Sequence, residues 1–249
     1  MDPAEYTLMD AAEDRMWWFA ALHLHLLTAF ERSGAAPGRL LDAGCGTGGL
    51  LAKIAARFPG VPAIGLDADD GACARARAKS RRPVCTGSVN RLPFAEAAFA
   101  GVFSADVLCH GGVDEAAALA QFRRCLADRG VLVLNLPAYG WMLSRHDIAV
   151  DNVRRYTLRR LARMLRRAGF RVVYASYWNA LLFPMMVVTR KMLPGGDMPA
   201  SDVKLYPPVV EALCRAATRL EHALLRRGWR LPFGGSLLAV AAKEETAHA

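Results

Sequence analysis

Residues 40–49 read Leu-Leu-Asp-Ala-Gly-Cys-Gly-Thr-Gly-Gly, an apolar segment that runs into a glycine-rich turn. A helical pattern begins in this turn and continues to about residue 58. Glycine adopts positive φ angles at little cost and lacks the Cβ atom that would keep a ligand away from the backbone. In an open α/β sheet, the turn after the first strand lies at the carboxyl edge, where ligands bind. The stretch therefore predicts an α/β fold with a ligand site at the turn.

Outward from this turn, short apolar segments alternate with helical patterns. Strands are predicted at 39–43, 62–66, 84–86, 98–104, 131–136, 170–176 and 236–242. Helices are predicted at 4–32, 48–58, 70–80, 114–127 and 157–168. Such alternation is typical of a mainly parallel sheet covered by helices on both faces. Residues 178–230 are predicted to add an insertion of two amphipathic helices, split by Leu193-Pro194-Gly195-Gly196.

The chain of 249 residues is long enough to bury a core without disulfides or a structural metal. We expect one domain with four parts: an N-terminal helical cap (1–36), a cofactor-binding core (38–177), the helical insertion (178–232), and the last strand with its tail (233–249). Hydrophobic residues make up 53% of the chain, which excludes a disordered protein. The net charge of +9 could attract anions, but the sequence carries no nucleic-acid-binding motif and no metal-ligand spacing.

The cysteines and the first residues predict a cytoplasmic location. Six cysteines are present without any CxxC pair, and the acidic stretch from Met1 to Asp14 does not resemble an export signal. The most apolar run, Ala180–Val188, contains Pro184 and is too short to span a bilayer.

The glycine spacing alone allows two ligands. Gly44, Gly46 and Gly49 satisfy the GxGxxG pattern of dinucleotide-binding proteins, and Asp67 follows 18 residues after Gly49, where it would suit the ribose of NAD. Asp42 favours a ligand other than NAD. A carboxylate two residues before the first glycine could engage a cationic ligand, but it would not help to bind an anionic pyrophosphate.

Two further segments complete a motif set: Gly87-Ser88-Val89-Asn90-Arg91-Leu92-Pro93-Phe94 follows the third strand, and the apolar strand at 99–104 leads into Asp106-Val107-Leu108-Cys109-His110. With these, the chain resembles the class I S-adenosylmethionine-dependent methyltransferases of the small-molecule branch. The resemblance is good over 38–136 and looser over 137–177. It implies a Rossmann-like, doubly wound sheet of seven strands, the last antiparallel between two parallel neighbours. The implied cofactor is S-adenosyl-L-methionine, and its product is S-adenosyl-L-homocysteine.

The resemblance also implies a cofactor site. Gly44 and Gly46 would hold the methionine part, Asp67 would accept both ribose hydroxyls, and the Ala105 carbonyl would meet the ammonium group. The full set of expected cofactor-binding residues is Asp42, Gly44, Cys45, Gly46, Asp67, Ala68, Ser88, Val89 and Ala105.

For the chemistry, we expect methyl transfer to O or N of a small, partly apolar acceptor that could carry an anionic group. A histidine is the natural base, because its pKa lies near neutrality. His146, with Asp147 beside it, is the first candidate, and His110 and Tyr156 follow. The residues expected to contact the acceptor are Trp17, Tyr139, Arg154 and Arg155.

Two other functions remain open from the sequence. One is an NAD-dependent oxidoreductase. The other is a non-catalytic module that keeps the fold and contacts a membrane surface through residues 178–230. Residues 179–192 are rich in Leu, Phe, Met and Val, and Lys191, Arg226, Arg227, Trp229 and Arg230 would suit an interface. We expect a monomer or a homodimer that acts on a small molecule, not on nucleic acid.

Overall fold

The computed structural model describes residues 3–36, 38–192 and 202–244. Within these residues, one mixed sheet forms the centre of the protein, in the strand order β3-β2-β1-β4-β5-β7-β6. The strands are β1 (Leu40–Ala43), β2 (Ala63–Asp67), β3 (Val84–Thr86), β4 (Phe99–Ala105), β5 (Leu126–Pro137), β6 (Phe170–Trp178) and β7 (Ser236–Lys243). Strand β7 pairs antiparallel with both β5 and β6, whereas β1 to β5 pair in parallel. The expected Rossmann-like fold with an antiparallel last strand is confirmed.

Nine helices accompany the sheet within the described ranges. They are α1 (Pro3–Ala12), α2 (Trp17–Arg32), α3 (Gly49–Arg57), α4 (Asp70–Ser80), α5 (Glu115–Cys125), α6 (Arg145–Ala149), α7 (Leu158–Arg167), α8 (Phe183–Val187) and α9 (Pro208–Arg226). The stretch at 137–152, expected to be irregular, contains α6 and a 3₁₀ turn at Gly140–Met142.

The sheet buries one apolar cluster on each face. Neighbouring residues of a strand point to opposite faces, so Leu40 joins the cluster beneath α2 and α3, whereas Leu41 joins the one beneath α5 and α7. The two clusters together make the central strands apolar on both sides, as their sequences predict.

The prediction of a single N-terminal helix over 4–32 is wrong. The chain leaves the helix after Ala12, and Met16 has an extended backbone with φ −74° and ψ 132° before α2 begins. At this break Glu13 turns inward and contacts the glycine-rich turn through Thr47. The break therefore frees α1 to lie over the carboxyl edge of the sheet while α2 packs on its face.

The prediction of two amphipathic helices in the insertion is only partly right. The first is a short helix, α8, continued by a π-helical turn at Val188–Met192, and the second is the long helix α9. The split predicted at Leu193–Gly196 lies outside the described residues. Helix α9 packs against α2. Among the described helices, none combines the length and apolarity that crossing a membrane requires.

The topology determines where a ligand can bind. Strand β1 lies between β2 and β4, so the order of the strands reverses beside it. A crevice opens at the carboxyl ends of the strands at such a reversal. The glycine-rich turn after β1, Asp67 at the end of β2 and Ala105 at the end of β4 all lie at this crevice.

Candidate cofactor site and active site

The glycine-rich turn is held tightly against its neighbours. Gly44 has φ +82°, and a Cβ atom added there would lie 2.2 Å from Cγ2 of Val107, which follows β4. The backbone N–H groups of Gly44 and Cys45 both donate to the Leu66 carbonyl, at 2.7 and 2.9 Å. A side chain at position 44 would therefore push the turn away from both adjacent strands.

Asp67 fixes the other end of the turn. Its Oδ2 accepts a hydrogen bond from the Gly46 N–H at 2.8 Å, and its Oδ1 accepts one from the Asp69 N–H at 3.1 Å. The Tyr6 hydroxyl on α1 donates to Oδ1 over a longer distance of 3.4 Å. Since a carboxylate offers about four acceptor positions, Asp67 can still receive one hydroxyl donor from a ligand, and a second one if the long Tyr6 hydrogen bond is displaced.

Asp42 lies buried beneath the turn with an unsatisfied oxygen. Its side chain is 1% exposed, and Oδ2 has no hydrogen-bond partner among the described residues. Burial, reinforced by the negative charges of Asp67 and Glu13, raises the pKa of Asp42 to about 8. A cation bound at this turn would compensate these charges and favour the ionised form of Asp42.

A third carboxylate, Glu13, reaches the turn from the break between α1 and α2. The Thr47 hydroxyl donates to its Oε1 at 2.6 Å, and Lys79 also binds this oxygen. A Cβ atom added to Gly49 would lie 2.2 Å from Oε2 of Glu13, so the carboxylate lies at the first residue of α3. The N-terminus of this helix is where a dinucleotide would place its pyrophosphate. Glu13 already occupies the place, with a charge of the same sign.

Helix α1 covers the turn from outside. The Met9 Cε atom lies 2.8 Å from the position of a Cβ atom on Gly46. Lys79 pairs with Asp10 at 2.6 Å and Arg75 with the same carboxylate at 3.3 Å, which ties α1 to α4. A ligand that contacts the backbone of Gly46 therefore requires the end of the Met9 side chain to move away.

The remaining expected cofactor residues lie along the same edge. The Gly87 N–H donates to the Asp67 carbonyl at 2.8 Å, which brings Ser88 and Val89 close to the end of β2. Ser88 is exposed, and its hydroxyl accepts from the Asn90 N–H at 3.2 Å, while Val89 is buried. Ala68 is exposed and Cys45 is buried beside the turn.

A polar chain that the sequence did not predict starts at the half-buried Asp106, one residue beyond Ala105, and continues through buried residues. Asp106 has φ +54°, and its two carboxylate oxygens each accept from Nδ2 of Asn135 at 3.0 Å. The Trp178 indole N–H donates to Oδ1 of Asn135 at 2.7 Å. Burial raises the pKa of Asp106 to about 6. An acidic residue that directly follows an apolar strand was the available signal.

The two candidate histidines lie in partly buried places. His146 accepts a hydrogen bond on Nδ1 from the Asp202 N–H at 3.1 Å, and burial lowers the pKa of both His146 and His110. Asp147 does not orient His146, as its neighbouring position suggested. Its carboxylate instead accepts hydrogen bonds from the Ser144 N–H and hydroxyl, and it pairs with Arg155.

The side chains of the Arg-Arg-Tyr run at 154–156 form hydrogen bonds with other groups of the protein. Arg155 is buried, donates to both oxygens of Asp147 at 2.9 and 3.0 Å, and donates to the Ala138 carbonyl at 3.0 Å. Arg154 donates to the carbonyls of Val113 and His110. The fully buried Tyr156 donates its hydroxyl to the Leu108 carbonyl at 2.7 Å. The arginines expected to bind substrate and the tyrosine expected to be catalytic thus join the loops at this edge.

The two aromatic residues expected at the substrate differ in their surroundings. Trp17 is buried, and its backbone N–H donates to Glu211 of α9 at 2.8 Å. Tyr139 is half-buried and stacks on Tyr177 and on Trp141, with ring centroids 5.1 and 5.8 Å apart. Phe183 lies 5.5 Å from the Tyr139 ring. We call these four rings, Tyr139, Trp141, Tyr177 and Phe183, the aromatic cluster.

Residues 41–134 match the family model described as "Methyltransferase domain". Over these residues the chain is similar to a methyltransferase domain. This match and the fold confirm the resemblance to the class I S-adenosylmethionine-dependent enzymes.

Two curated relatives and a solved structure agree with this domain. The chain is 34% identical over 126 residues to a malonyl-[acyl-carrier protein] O-methyltransferase of Dechloromonas aromatica, covering 49% of this chain and 46% of that protein. It is 38% identical over 84 residues to 24-methylenesterol C-methyltransferase 2 of Oryza sativa, covering 30% and 23%. The chain thus spans less than half the length of these relatives.

The solved structure is geranyl diphosphate C-methyltransferase from Streptomyces coelicolor, in complex with Mg²⁺, geranyl diphosphate and S-adenosyl-L-homocysteine. It has a TM-score of 0.59 and 15% identity, and the alignment covers 90% of this chain and 77% of that one. At this identity, the likeness demonstrates a common fold.

The buried pair of Arg155 and Asp147 predicts a stability effect where the sequence suggested substrate binding. We expect Arg155→Gln to lower the free energy of unfolding by about 3–5 kcal/mol, because it leaves the Asp147 carboxylate buried without an opposite charge. Urea denaturation measures this change. Arg159→Gln on the exposed face of α7 is the control and should change stability by less than about 0.5 kcal/mol. An Arg155→Gln variant as stable as the parent would contradict a structural role for the pair.

The raised pKa of Asp106 predicts a pH dependence of stability. The pKa of Asp106 is about 6 in the folded protein and about 3.9 in the unfolded chain. Its contribution to the free energy of unfolding is therefore fully present below pH 4 and is lost as the pH rises through 6. Between pH 4 and pH 7, the fall in the free energy of unfolding should be about 2–3 kcal/mol smaller in Asp106→Asn than in the parent protein, as measured by denaturation at the two pH values. Asp128→Asn, at an exposed carboxylate, should keep it. Equal pH dependence in parent and Asp106→Asn would refute the prediction.

Proposed function

We propose that this protein is an S-adenosylmethionine-dependent methyltransferase that acts on a small, partly apolar acceptor. The observation that carries the proposal is the cluster of carboxylates at the glycine-rich turn. Three buried carboxylates, Asp42, Asp67 and Glu13, surround it, and the Asp42 Oδ2 atom has no partner among the described residues. A ligand with a sulfonium and an ammonium group fits such a site, and one with a pyrophosphate does not.

The residues at the turn fit the parts of S-adenosylmethionine. Asp67 would accept the ribose hydroxyls, one at its open acceptor position and one in place of the long hydrogen bond from Tyr6. Asp42 and the carbonyl of Ala105 lie at the ends of neighbouring strands and would face the ammonium group. Ser88 and Val89 would lie at the adenine and Ala68 against its ring. When bound, the cofactor supplies an electrophilic methyl group and leaves as S-adenosyl-L-homocysteine.

For the acceptor atom, we propose O or N. The relatives and the structural neighbour include two C-methyltransferases as well as an O-methyltransferase, so their names support more than one acceptor. A proton from a hydroxyl or ammonium acceptor needs a receiver. Asp106, with a pKa of about 6, lies next to Ala105 at the end of β4, and the candidate histidines His146 and His110 belong to the loops of this edge.

The acceptor's apolar part would bind at the aromatic cluster. Trp141 is 54% exposed, and Tyr139 follows β5 at the carboxyl edge of the sheet. Stacked aromatic rings offer apolar area and a specific geometry to a planar or branched ligand. The arginines give no support for an anionic group on the methyl acceptor. The guanidinium groups of Arg155 and Arg154 already form hydrogen bonds with oxygen atoms of the protein.

A membrane-surface module is a second candidate, favoured by exposed apolar side chains in and after the insertion. Leu181, Met185, Trp229 and Phe233 are each between 45% and 62% exposed. Binding to anionic vesicles without any binding of S-adenosylmethionine would favour this candidate. Both properties together would indicate an enzyme whose acceptor lies in a membrane.

We further propose that the chain works as a single domain in the cytoplasm, as a monomer or a homodimer. All six cysteines are free, which is expected of a reducing compartment.

Calorimetric titration with S-adenosylmethionine, S-adenosyl-L-homocysteine and NAD tests the proposal. We expect micromolar binding of both sulfur compounds and none of NAD. Asp67→Asn should weaken binding by about 10- to 100-fold, because it removes charge-assisted hydrogen bonds. Asp128→Asn removes the same charge far from the turn and should leave the affinity unchanged.

Turnover completes the test. Incubation with a panel of phenols, amines and carboxylic acids should release S-adenosyl-L-homocysteine for at least one class. Saturable binding of NAD with no binding of either sulfur compound would overturn the proposed function in favour of an oxidoreductase.

A further inference from the structure

A second cavity of about 200 Å³ lies between α2, α9 and the β6–β7 side of the sheet. It is away from the glycine-rich turn: Arg32, at its rim, is the last residue of α2, and Val240, on its floor, pairs with Val133 in the middle of β5. None of the residues that line it belongs to the candidate cofactor site. The cavity therefore needs a separate explanation.

The floor of the cavity is apolar. Leu225 of α9 and Leu238 and Val240 of β7 form it, and all three side chains are buried. Cavities of about 150 Å³ with such a lining bind benzene. A volume of about 200 Å³ has room for a ring of this size with one small substituent.

The rim of the cavity is cationic. Arg32 and Arg226 both line it, and its described lining contains no carboxylate. Arg32 reaches towards the end of α9, where its Nη2 lies 3.8 Å from the position of a Cβ atom on Gly228. Neither arginine forms an ion pair with a carboxylate among the described residues. The two charges are thus available to an anion from solution.

Two histidines between rim and floor face each other. Nδ1 of His25 lies 3.1 Å from Nδ1 of His222, and Nε2 of His222 lies 3.5 Å from the Thr28 hydroxyl. The His25 side chain is 2% exposed, and its Nε2 has no hydrogen-bond partner among the described residues. Burial lowers the pKa of both rings, and the Arg226 charge lowers that of His222 further. With both rings neutral, one Nδ1–H donates to the other Nδ1, so this hydrogen bond joins α2 to α9 at the wall of the cavity.

We propose that this cavity binds a small organic carboxylate with an apolar body, its carboxylate at Arg32 and Arg226 and its body on Leu225, Leu238 and Val240. An apolar floor alone would favour a neutral hydrocarbon, and a cationic rim alone would favour inorganic anions. The combination selects a molecule that has both parts, and the volume limits the body to about one ring or a short branched chain.

Benzoate is the probe, with benzamide as its neutral isostere and inorganic phosphate as a bare anion. Calorimetry should give one saturable site for benzoate, with an affinity at least tenfold above those of benzamide and phosphate. Benzoate should also shift the ring signals of His25 and His222 in heteronuclear NMR spectra at constant pH. Each comparison removes one of the two recognised parts.

Three variants locate the site. The double variant Arg32→Gln/Arg226→Gln should weaken benzoate binding at least tenfold. Arg219→Gln removes a charge from an exposed position of the same helix, α9, and should change the affinity by less than twofold. Ala29→Leu adds carbon atoms at the cavity wall and should weaken benzoate binding without removing a charge.

The proposal is overturned if none of the probes binds saturably, if benzamide or phosphate binds as tightly as benzoate, or if Arg219→Gln weakens binding as much as the double variant. Titration of the same variants with S-adenosylmethionine keeps the two sites apart. Its affinity should be unchanged in all three variants, so failure at this cavity leaves the cofactor proposal standing.

Discussion

The hydrogen bond from the Gly46 N–H to the Asp67 carboxylate joins the ends of the first two strands, and the carboxyl edge is organised around it. It requires a turn without side chains, since the backbone passes within van der Waals distance of β2 and of Val107. The same close approach buries Asp42 beneath the turn, where water cannot solvate its charge. Glu13 then closes the outer side. The result is a compact site lined by three carboxylates, and these side chains, more than the glycine spacing, distinguish a cationic ligand from a dinucleotide.

The sequence predicts those parts of the fold that depend on local patterns. The glycine-rich turn, the alternation of strands and helices, and Asp67 at a strand end can all be recognised within a few residues. The antiparallel last strand came from the family resemblance. The break after Ala12 could not be predicted, because residues 4–32 keep a helical pattern throughout. At the break, Glu13 accepts hydrogen bonds from Thr47 and Lys79, which are distant in sequence.

The roles of the Arg-Arg-Tyr run and of Asp106 were hidden for the same physical reason. Arg155 and Tyr156 are chemically suited to bind or activate a substrate, and only the positions of Asp147 and the Leu108 carbonyl reveal that they hold loops together. Asp106 is an ordinary acidic residue in sequence. Its raised pKa comes from burial, and its orientation comes from Asn135 on the neighbouring strand.

The family match ends at residue 134, before the aromatic cluster begins. The glycine-rich turn, Asp67 and Ala105 lie within the matched residues, whereas the aromatic cluster, which we propose to select the acceptor, lies outside them.

If the carboxylates of the turn bind a cationic cofactor, binding should release a proton from the turn. S-adenosylmethionine is titrated at pH 7 in two buffers with different ionisation enthalpies, with the parent protein and with Asp42→Asn. Asp42, whose pKa is about 8, is mostly protonated at this pH, and a cation beside it should drive off close to one proton per ligand bound. We expect this release in the parent protein and none in Asp42→Asn. Saturable binding with the same proton balance in both proteins would contradict it.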